Sequence, residues 1–184
     1  MLGNKLITVV VCLHLLASLL FAQKSVFIIS NHNQSHSQAY SIEGSQVNYQ
    51  ADIDISTQNP GFGAVGNAVW PEKNLMFVTY EGSGVIVWSS TTILEKVGDF
   101  ETGFGSLAGI VIDRIKNLIY VMGRGSSDLY VYSFDENENT LVFEGTWQLN
   151  ISGMGIALDE IKNLLYVTSY GDYRVRIYKM FAFF

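Results

Sequence analysis

The chain of 184 residues has little cysteine and few basic residues. Cys12 is its one cysteine, so no intrachain disulfide can form and stability must come from packing. The sequence has 11 Lys and Arg residues against 17 Asp and Glu residues, a formal net charge of −6. Phosphate binding needs clustered Lys and Arg, and no basic run follows Lys24. Nucleic acid is therefore not expected as a partner, and no cofactor is indicated.

An apolar run over residues 6–21 follows a single early cation, Lys5. The run is short for a membrane span and lies at the N-terminus, which is typical of a secretory signal peptide. We predict a signal peptide over residues 1–22, and a secreted protein that is extracellular or periplasmic. An uncleaved signal anchor is the alternative, because Leu20 is large where cleavage sites favour a small residue. The chain would contact a membrane only if the signal is not cleaved.

One short sequence with strand character occurs three times in the rest of the chain. Residues 74–78, 117–121 and 163–167 each begin with Asn-Leu and continue with β-forming residues. The Lys before each Asn is at position 73, 116 or 162, so the copies lie 43 and 46 residues apart. This spacing is the length of one four-stranded blade of a β-propeller.

Further apolar and aromatic runs of about five residues flank each copy, with Gly, Ser, Asn and Asp between them. We predict an all-β fold, a β-propeller of four-stranded antiparallel blades with about three to four blades present. Blades are expected over residues 64–100, 108–148 and 154–180, with a blade remnant over 25–55. The remnant lacks an innermost strand and the last blade lacks a fourth strand. The partial propeller over residues 23–184 is therefore expected to be truncated or to assemble with another chain.

The third copy carries a family pattern over residues 155–159, Asn163, 165–168 and 174–178. It resembles the NHL repeat, and residues 165–168 are also similar to the YVTN-type surface-layer repeat. The resemblance implies a β-propeller, commonly a protein-binding or cell-surface scaffold. Some relatives, such as lactonase-like and gluconolactonase-like propellers, are metal-dependent hydrolases. The spaced Glu, Asn and Asp residues that would hold a central metal in those enzymes are not matched in this sequence.

Polar residues recur in the turn that follows the first strand of a blade. Asp113 and Asp159 could line a central channel as ion ligands. An Asp before a turn more often accepts hydrogen bonds from nearby backbone N–H groups. Asn117 and Asn163 tolerate the left-handed conformation of tight hairpins. We therefore predict turn roles for all four residues.

The sequence indicates no metal site and no catalytic site. His32 and His36 are predicted in a polar loop, without a third ligand at a recognisable spacing. There is no Gly-x-Ser-x-Gly motif and no His beside a Ser in a known pattern. The chain is therefore predicted not to be an enzyme. Asn33 and Asn150 match the glycosylation acceptor pattern, which matters only in a host that glycosylates secreted proteins.

The loops that join second to third strands, and each blade to the next, share one end of a propeller. Aromatic residues and arginines on such loops are the usual material of recognition sites, although they can also simply cap strand ends. The predicted ligand-binding loop face consists of Tyr80, Glu81, Arg124, Asp128, Tyr170, Asp172 and Arg174.

The predicted function is a secreted, non-catalytic binding or scaffold module that recognises a protein or glycan through this loop face. One alternative is a fragment of a metal-dependent lactonase or gluconolactonase-like hydrolase. Another is a relic without function. Open blade edges also predict self-association, because unpaired strand edges and uncovered sheet faces pair with other chains.

Overall fold

The computed structural model describes residues 25–29, 36–43, 45–54, 63–80, 84–89, 95–169, 171 and 173–180. The predicted signal peptide, His32, Asn33, Glu81, Tyr170 and Asp172 lie outside these residues. The strands are, in chain order, β1 (Ser25–Ile29), β2 (His36–Glu43), β3 (Gln46–Asp54), β4 (Ala64–Trp70), β5 (Leu75–Tyr80), β6 (Gly84–Ser89), β7 (Lys96–Glu101), β8 (Leu107–Asp113), β9 (Leu118–Gly123), β10 (Asp128–Asp135), β11 (Thr140–Gln148), β12 (Gly153–Asp159), β13 (Leu164–Ser169) and β14 (Val175–Lys179).

The strands form four antiparallel sheets, each built from consecutive strands. The first sheet has the order β1-β2-β3, the second β4-β5-β6-β7, the third β8-β9-β10-β11 and the fourth β12-β13-β14. Apart from a 3₁₀ turn over Pro71–Lys73, the described part of the chain contains no helix. The predicted all-β fold with incomplete propeller blades is confirmed. His36 begins β2 rather than lying in a loop.

The first strands of three sheets lie side by side at the centre of the molecule. β8 contacts both β4 and β12, and the second strands β5 and β9 contact the first strand of the following sheet. β1 likewise contacts β4, the first strand of the sheet after it. This position makes β1 a second strand, and the described residues supply no strand on its inner side.

Two apolar clusters fill the spaces between neighbouring sheets. Phe77, from the second sheet, is fully buried and packs edge-to-face against Phe134 of the third sheet, with ring centroids 5.7 Å apart. A second cluster joins the third sheet, through residues such as Tyr120 and Met122, to Leu165 and Val167 of the fourth. The third sheet therefore covers an apolar face of the second, and the fourth covers an apolar face of the third.

Close backbone packing holds the inner strands together. A Cβ atom on Gly66 of β4 would lie 2.6 Å from the carbonyl oxygen of Ala108 on β8. The Oγ1 of buried Thr79 accepts a hydrogen bond from Gly66 N (2.9 Å) and donates one to the Ala108 carbonyl (2.5 Å). The pairing of the first strand with the second strand shifts register at the equivalent place in the second, third and fourth sheets. Glycine is needed here because a side chain would push β4 and β8 apart.

The predicted turn roles are confirmed. Asn117 and Asn163 have φ angles of 60° and 54°, in the left-handed region. The Oδ1 of Asp113 accepts a hydrogen bond from Lys116 N at 2.9 Å. Asp159 makes the same 2.9 Å bond with Lys162 N, so both carboxylates close their own turns.

Candidate functional site

The inner strands β4, β8 and β12 surround a cleft at the end of the molecule where the first turn of each sheet lies. Its volume is about 430 Å³. Most of its lining residues are aliphatic, but polar atoms form slightly more of its exposed wall than apolar atoms do, and two charged side chains, Arg114 and Glu160, stand at its edge. The other lining residues include Asn67, Val69, Pro71, Val111, Ala157 and Leu158. The cleft can receive a small group with both apolar and polar parts, its polar end at the charged edge.

Arg114 connects the turns of three sheets at this edge. Its Nη2 lies 2.7 Å from Oε2 of Glu160, and its Nε donates to both carboxylate oxygens of that residue. Its backbone N–H donates to Glu160 Oε1 at 2.6 Å. On the other side, Arg114 Nη1 lies 3.3 Å from Glu72 Oε1. The guanidinium therefore ties the third sheet to the fourth and to the second.

Charge pairing sets the protonation of this edge. The hydrogen bonds from Arg114 lower the pKa of Glu160 below its ordinary value of 4.5, against a smaller opposing effect of burial. The same contacts raise the pKa of Arg114. Both groups are charged at neutral pH, and an anionic or cationic ligand would have to compete with this ion pair.

Glu160→Gln is expected to weaken the acid dependence of stability. The folded-state pKa of Glu160 is depressed, so its contribution is complete above about pH 4.5 and is lost as the pH falls through the lowered pKa. At about pH 7, urea unfolding should give Glu160→Gln a free energy of unfolding lower than that of the unmodified chain by less than about 1 kcal/mol, because Arg114 is half-exposed. This difference should shrink as the pH is lowered to about 3.

Glu138→Gln is the control for this measurement, because Glu138 is exposed on the turn between β10 and β11. Its unfolding midpoints should follow those of the unmodified chain at every pH. A constant difference between Glu160→Gln and the unmodified chain down to about pH 3 would contradict the role given to the Arg114–Glu160 pair.

No group of three or more His, Cys, Asp or Glu side chains that could hold a metal ion occurs within the described ranges. The acidic residues near the cleft have other partners in the structure: Asp113 accepts from Lys116 Nζ at 2.8 Å, and Glu160 accepts from Arg114. The arrangement seen at this end of the molecule is a set of ion pairs within and between turns.

The predicted loop face lies at the opposite end of the sheets. Of its seven residues, the structure describes Tyr80, Arg124, Asp128 and Arg174. Arg124 and Asp128 flank the turn between β9 and β10, and Arg174 precedes β14. Three sheets therefore contribute to this end, while Glu81, Tyr170 and Asp172 fall outside the described residues.

Tyr80 is not available as a surface contact. It is the last residue of β5, its side chain is 2% exposed, and its hydroxyl donates to Asp99 Oδ1 at 3.3 Å. Burial, followed by the charge of Asp99, raises the pKa of the Tyr80 hydroxyl. The ligand-binding role predicted for Tyr80 is corrected to a packing role, because its ring fills the space that Gly84 leaves on the paired strand.

Asp128 and Arg124 are anchored by their own sheet. Asp128 accepts hydrogen bonds from Gln148 Nε2 and, at 3.4 Å, from the hydroxyl of Tyr130. The backbone N–H of Arg124 donates to the Ser106 carbonyl oxygen at 2.7 Å. Both residues are half-buried, so the structure holds them in defined positions at the rim of the loop face.

Sequence reasoning missed Tyr173, the most exposed aromatic residue that the structure describes at this end. Its side chain is 95% exposed, and its φ of 55° is in the left-handed region, which is uncommon for tyrosine. A hydrogen bond of 2.8 Å from Ser169 N to the Arg174 carbonyl oxygen closes the turn that carries it. The signal was its place between Asp172 and Arg174, both of which were predicted to belong to the loop face.

The comparisons with known proteins bear on the fold. No protein-family model and no curated protein matches the chain. Among solved structures, "Crystal Structure of Mitotic Checkpoint Complex" matches with a TM-score of 0.67 and 12% identity, over 84% of this chain and 45% of that chain. The periplasmic gluconolactonase of Pseudomonas aeruginosa matches with a TM-score of 0.67 and 13% identity, over 85% and 47%. A nidogen/laminin complex matches with a TM-score of 0.59 and 13% identity, over 83% and 56%.

These matches show a β-propeller-like fold, and the chain spans about half the length of the structures it matches. The finer resemblance to NHL and YVTN repeats has no matching family model. No helix in the described part of the chain is long and apolar enough to cross a membrane.

The prediction that the chain is not an enzyme is wrong. A gluconolactonase matches this chain as well as the mitotic checkpoint structure does, with the same TM-score. The prediction rested on the absence of familiar motifs. Catalytic and non-catalytic proteins share this fold, so a missing motif cannot exclude activity.

Proposed function

We propose that this propeller segment binds a protein partner through the loop face, with Tyr173 and Arg174 at the centre of the contact. The observation that carries the proposal is the 95% exposure of Tyr173 on a hydrogen-bonded hairpin turn. A tyrosine in a left-handed conformation is strained, and such residues cluster at functional sites.

The chemistry of this turn suits protein recognition. Tyr and Arg are enriched among the residues that dominate binding energy at interfaces. Tyrosine offers a large amphipathic surface with few rotatable bonds, so little conformational entropy is lost when it is buried. Arg174 is exposed beside it. Arg124 and Asp128 lie on the neighbouring sheet and extend the proposed contact surface, together with Glu81, Tyr170 and Asp172.

Two of the matched structures are complexes by their titles, the mitotic checkpoint complex and the nidogen/laminin complex. They illustrate that propeller-like folds assemble with other proteins. The proposal concerns this chain's own turn and takes no contact residue from either structure.

Site-specific photo-cross-linking tests the proposal. A benzoylphenylalanine residue in place of Tyr173 is expected to capture a discrete protein from the native host, identifiable by mass spectrometry. The same photoreactive residue in place of Ile161 is the control, because Ile161 is 89% exposed on a turn at the opposite end of the same sheet. Equal capture from both positions, or capture of a glycan in place of a protein, would overturn the proposal.

Tyr173→Ala is expected to weaken binding of the captured partner by about thirty-fold in Kd, the effect of losing about 2 kcal/mol at an interface centre. Isothermal titration calorimetry with the purified partner provides the measurement. Ile161→Ala should bind with unchanged affinity. An unchanged Kd for Tyr173→Ala would show that the partner binds elsewhere.

We also propose that the protein is secreted through the N-terminal apolar segment, which lies outside the described residues. Mass spectrometry of protein recovered from the extracellular or periplasmic fraction is expected to find Gln23 as the first residue. Recovery of uncleaved protein starting at Met1 from the cytosol would contradict secretion.

A further inference from the structure

The outer face of the fourth sheet is apolar, and its described side chains are exposed or half-buried. On β13 and β14, alternate side chains point away from the third sheet. Val175 and Ile177 are 61% and 60% exposed, and Leu164 and Tyr166 are half-buried beside them. Isolated exposed apolar residues are common, but here several of them lie together on two paired strands.

The same face is covered in the two preceding sheets. Tyr166 corresponds to Phe77 of the second sheet and Tyr120 of the third, which are 0% and 1% exposed. The repeat also aligns further buried residues with the two exposed ones. Val85 and Leu129 correspond to Val175, and Val87 and Val131 correspond to Ile177. The fourth sheet therefore presents a face that, in this fold, the next sheet covers.

The free side of the first sheet carries the pattern of a covering sheet. In the third sheet, Tyr132 and Phe143 lie on the side that packs over the second sheet, with ring centroids 5.5 Å apart. In the first sheet, Tyr40 and Tyr49 pack edge-to-face with centroids 5.8 Å apart.

The strand register supports this equivalence. The pairing of β2 with β3 shifts between Ala39 and Tyr40, and the pairing of β10 with β11 shifts between Val131 and Tyr132. The two aromatic pairs therefore occupy the same place in their sheets. Tyr40 is half-buried whereas its counterpart Tyr132 is 4% exposed, so this face is less covered than the matching face of the third sheet.

We infer that two copies of this chain associate head to tail, with the Tyr40–Tyr49 face of each first sheet packed on the Val175–Ile177 face of the partner's fourth sheet. The contact continues the series of sheet-to-sheet interfaces already present within the chain. Because each copy offers one face of each kind, two copies form two such contacts and close a ring. Two chains of four sheets give eight sheets, within the roughly four to eight blades of propellers.

The inference does not depend on the proposed function, because the loop face and Tyr173 lie at the turns and not on these sheet faces.

An experiment with complementary introduced charges tests the inference. Ile177→Lys and Tyr49→Glu each place a charge in one of the two faces, and both positions are exposed in the single chain, so each variant should fold. At micromolar concentration, sedimentation velocity is expected to find the unmodified chain as a dimer and each variant alone as a monomer. Each variant alone would place an unmatched charge in both contacts of the ring.

Mixing the two variants is expected to restore the dimer. A mixed pair has one unmodified contact and one contact in which the positive charge introduced in one copy meets the negative charge introduced in the other. Ile161→Lys, on an exposed turn outside both faces, should remain a dimer. A monomeric unmodified chain, an assembly larger than a dimer, a dimer that either charge variant leaves intact, or a mixture that stays monomeric would overturn the inference.

Discussion

Phe77→Ala is expected to lower the free energy of unfolding by about 4 kcal/mol, as in other buried aromatic truncations. Phe77 is fully buried between the second and third sheets. Its ring centroid lies 5.7 Å from that of Phe134 and 6.4 Å from that of Trp70. Removing the ring leaves a cavity at the centre of this interface that rigid sheets cannot close. Urea unfolding monitored by tryptophan fluorescence gives the measurement.

Tyr173→Ala is the matched control, because it also removes an aromatic ring but from a side chain that is 95% exposed. Its free energy of unfolding should stay within about 0.5 kcal/mol of the unmodified chain. This result would also show that any loss of partner binding by Tyr173→Ala does not come from unfolding. A Phe77→Ala chain as stable as the control would mean that the second and third sheets do not pack as described.

Gly66→Ala is expected to cost about 3 kcal/mol, at the upper end for overpacked sites. The added Cβ would lie 2.6 Å from the Ala108 carbonyl oxygen and 3.2 Å from the Cα of Gly109. Both are backbone atoms, so no side-chain rotation relieves the contact. β4 and β8 must separate, which also strains the two hydrogen bonds of Thr79.

Gly105→Ala serves as its control, because a Cβ there meets nothing within 4 Å. Thermal unfolding followed by circular dichroism should show a clear fall in Tm for Gly66→Ala and little change for Gly105→Ala. Equal Tm values for the two variants would show that the inner strands have room to move apart.

The fold could be predicted because its main signal is local and repeated. Asn74, Asn117 and Asn163 all have left-handed φ angles, and each precedes a strand at a spacing that only a few architectures share. The strand alternation within each copy then specifies which residues enter the sheet interfaces. Both signals can be read from neighbouring residues without knowing how the sheets pack.

The site was harder to predict because it depends on contacts between sheets and on strand register. Tyr80 ends a strand, and only its pairing with Gly84 shows why the ring packs inward. Arg114 and Glu160 are 46 residues apart, and their ion pair exists only because the inner strands lie side by side. Arg114 and Glu160 occupy equivalent turn positions in the repeat, where the second sheet carries Pro71, and Glu72 lies one residue further along. The opposite charges were therefore visible in the sequence, but their distances were not.

The construction of every sheet from consecutive strands has a consequence for how the chain folds. Each strand pairs with the next one along the sequence, so each hairpin closes a short loop and loses little chain entropy. One sheet can form as soon as its residues have been synthesised, before the following sheet exists. In the monomeric Ile177→Lys variant, backbone amides in the second and third sheets, which have a neighbour on both faces, should then exchange with solvent more slowly than those of the fourth.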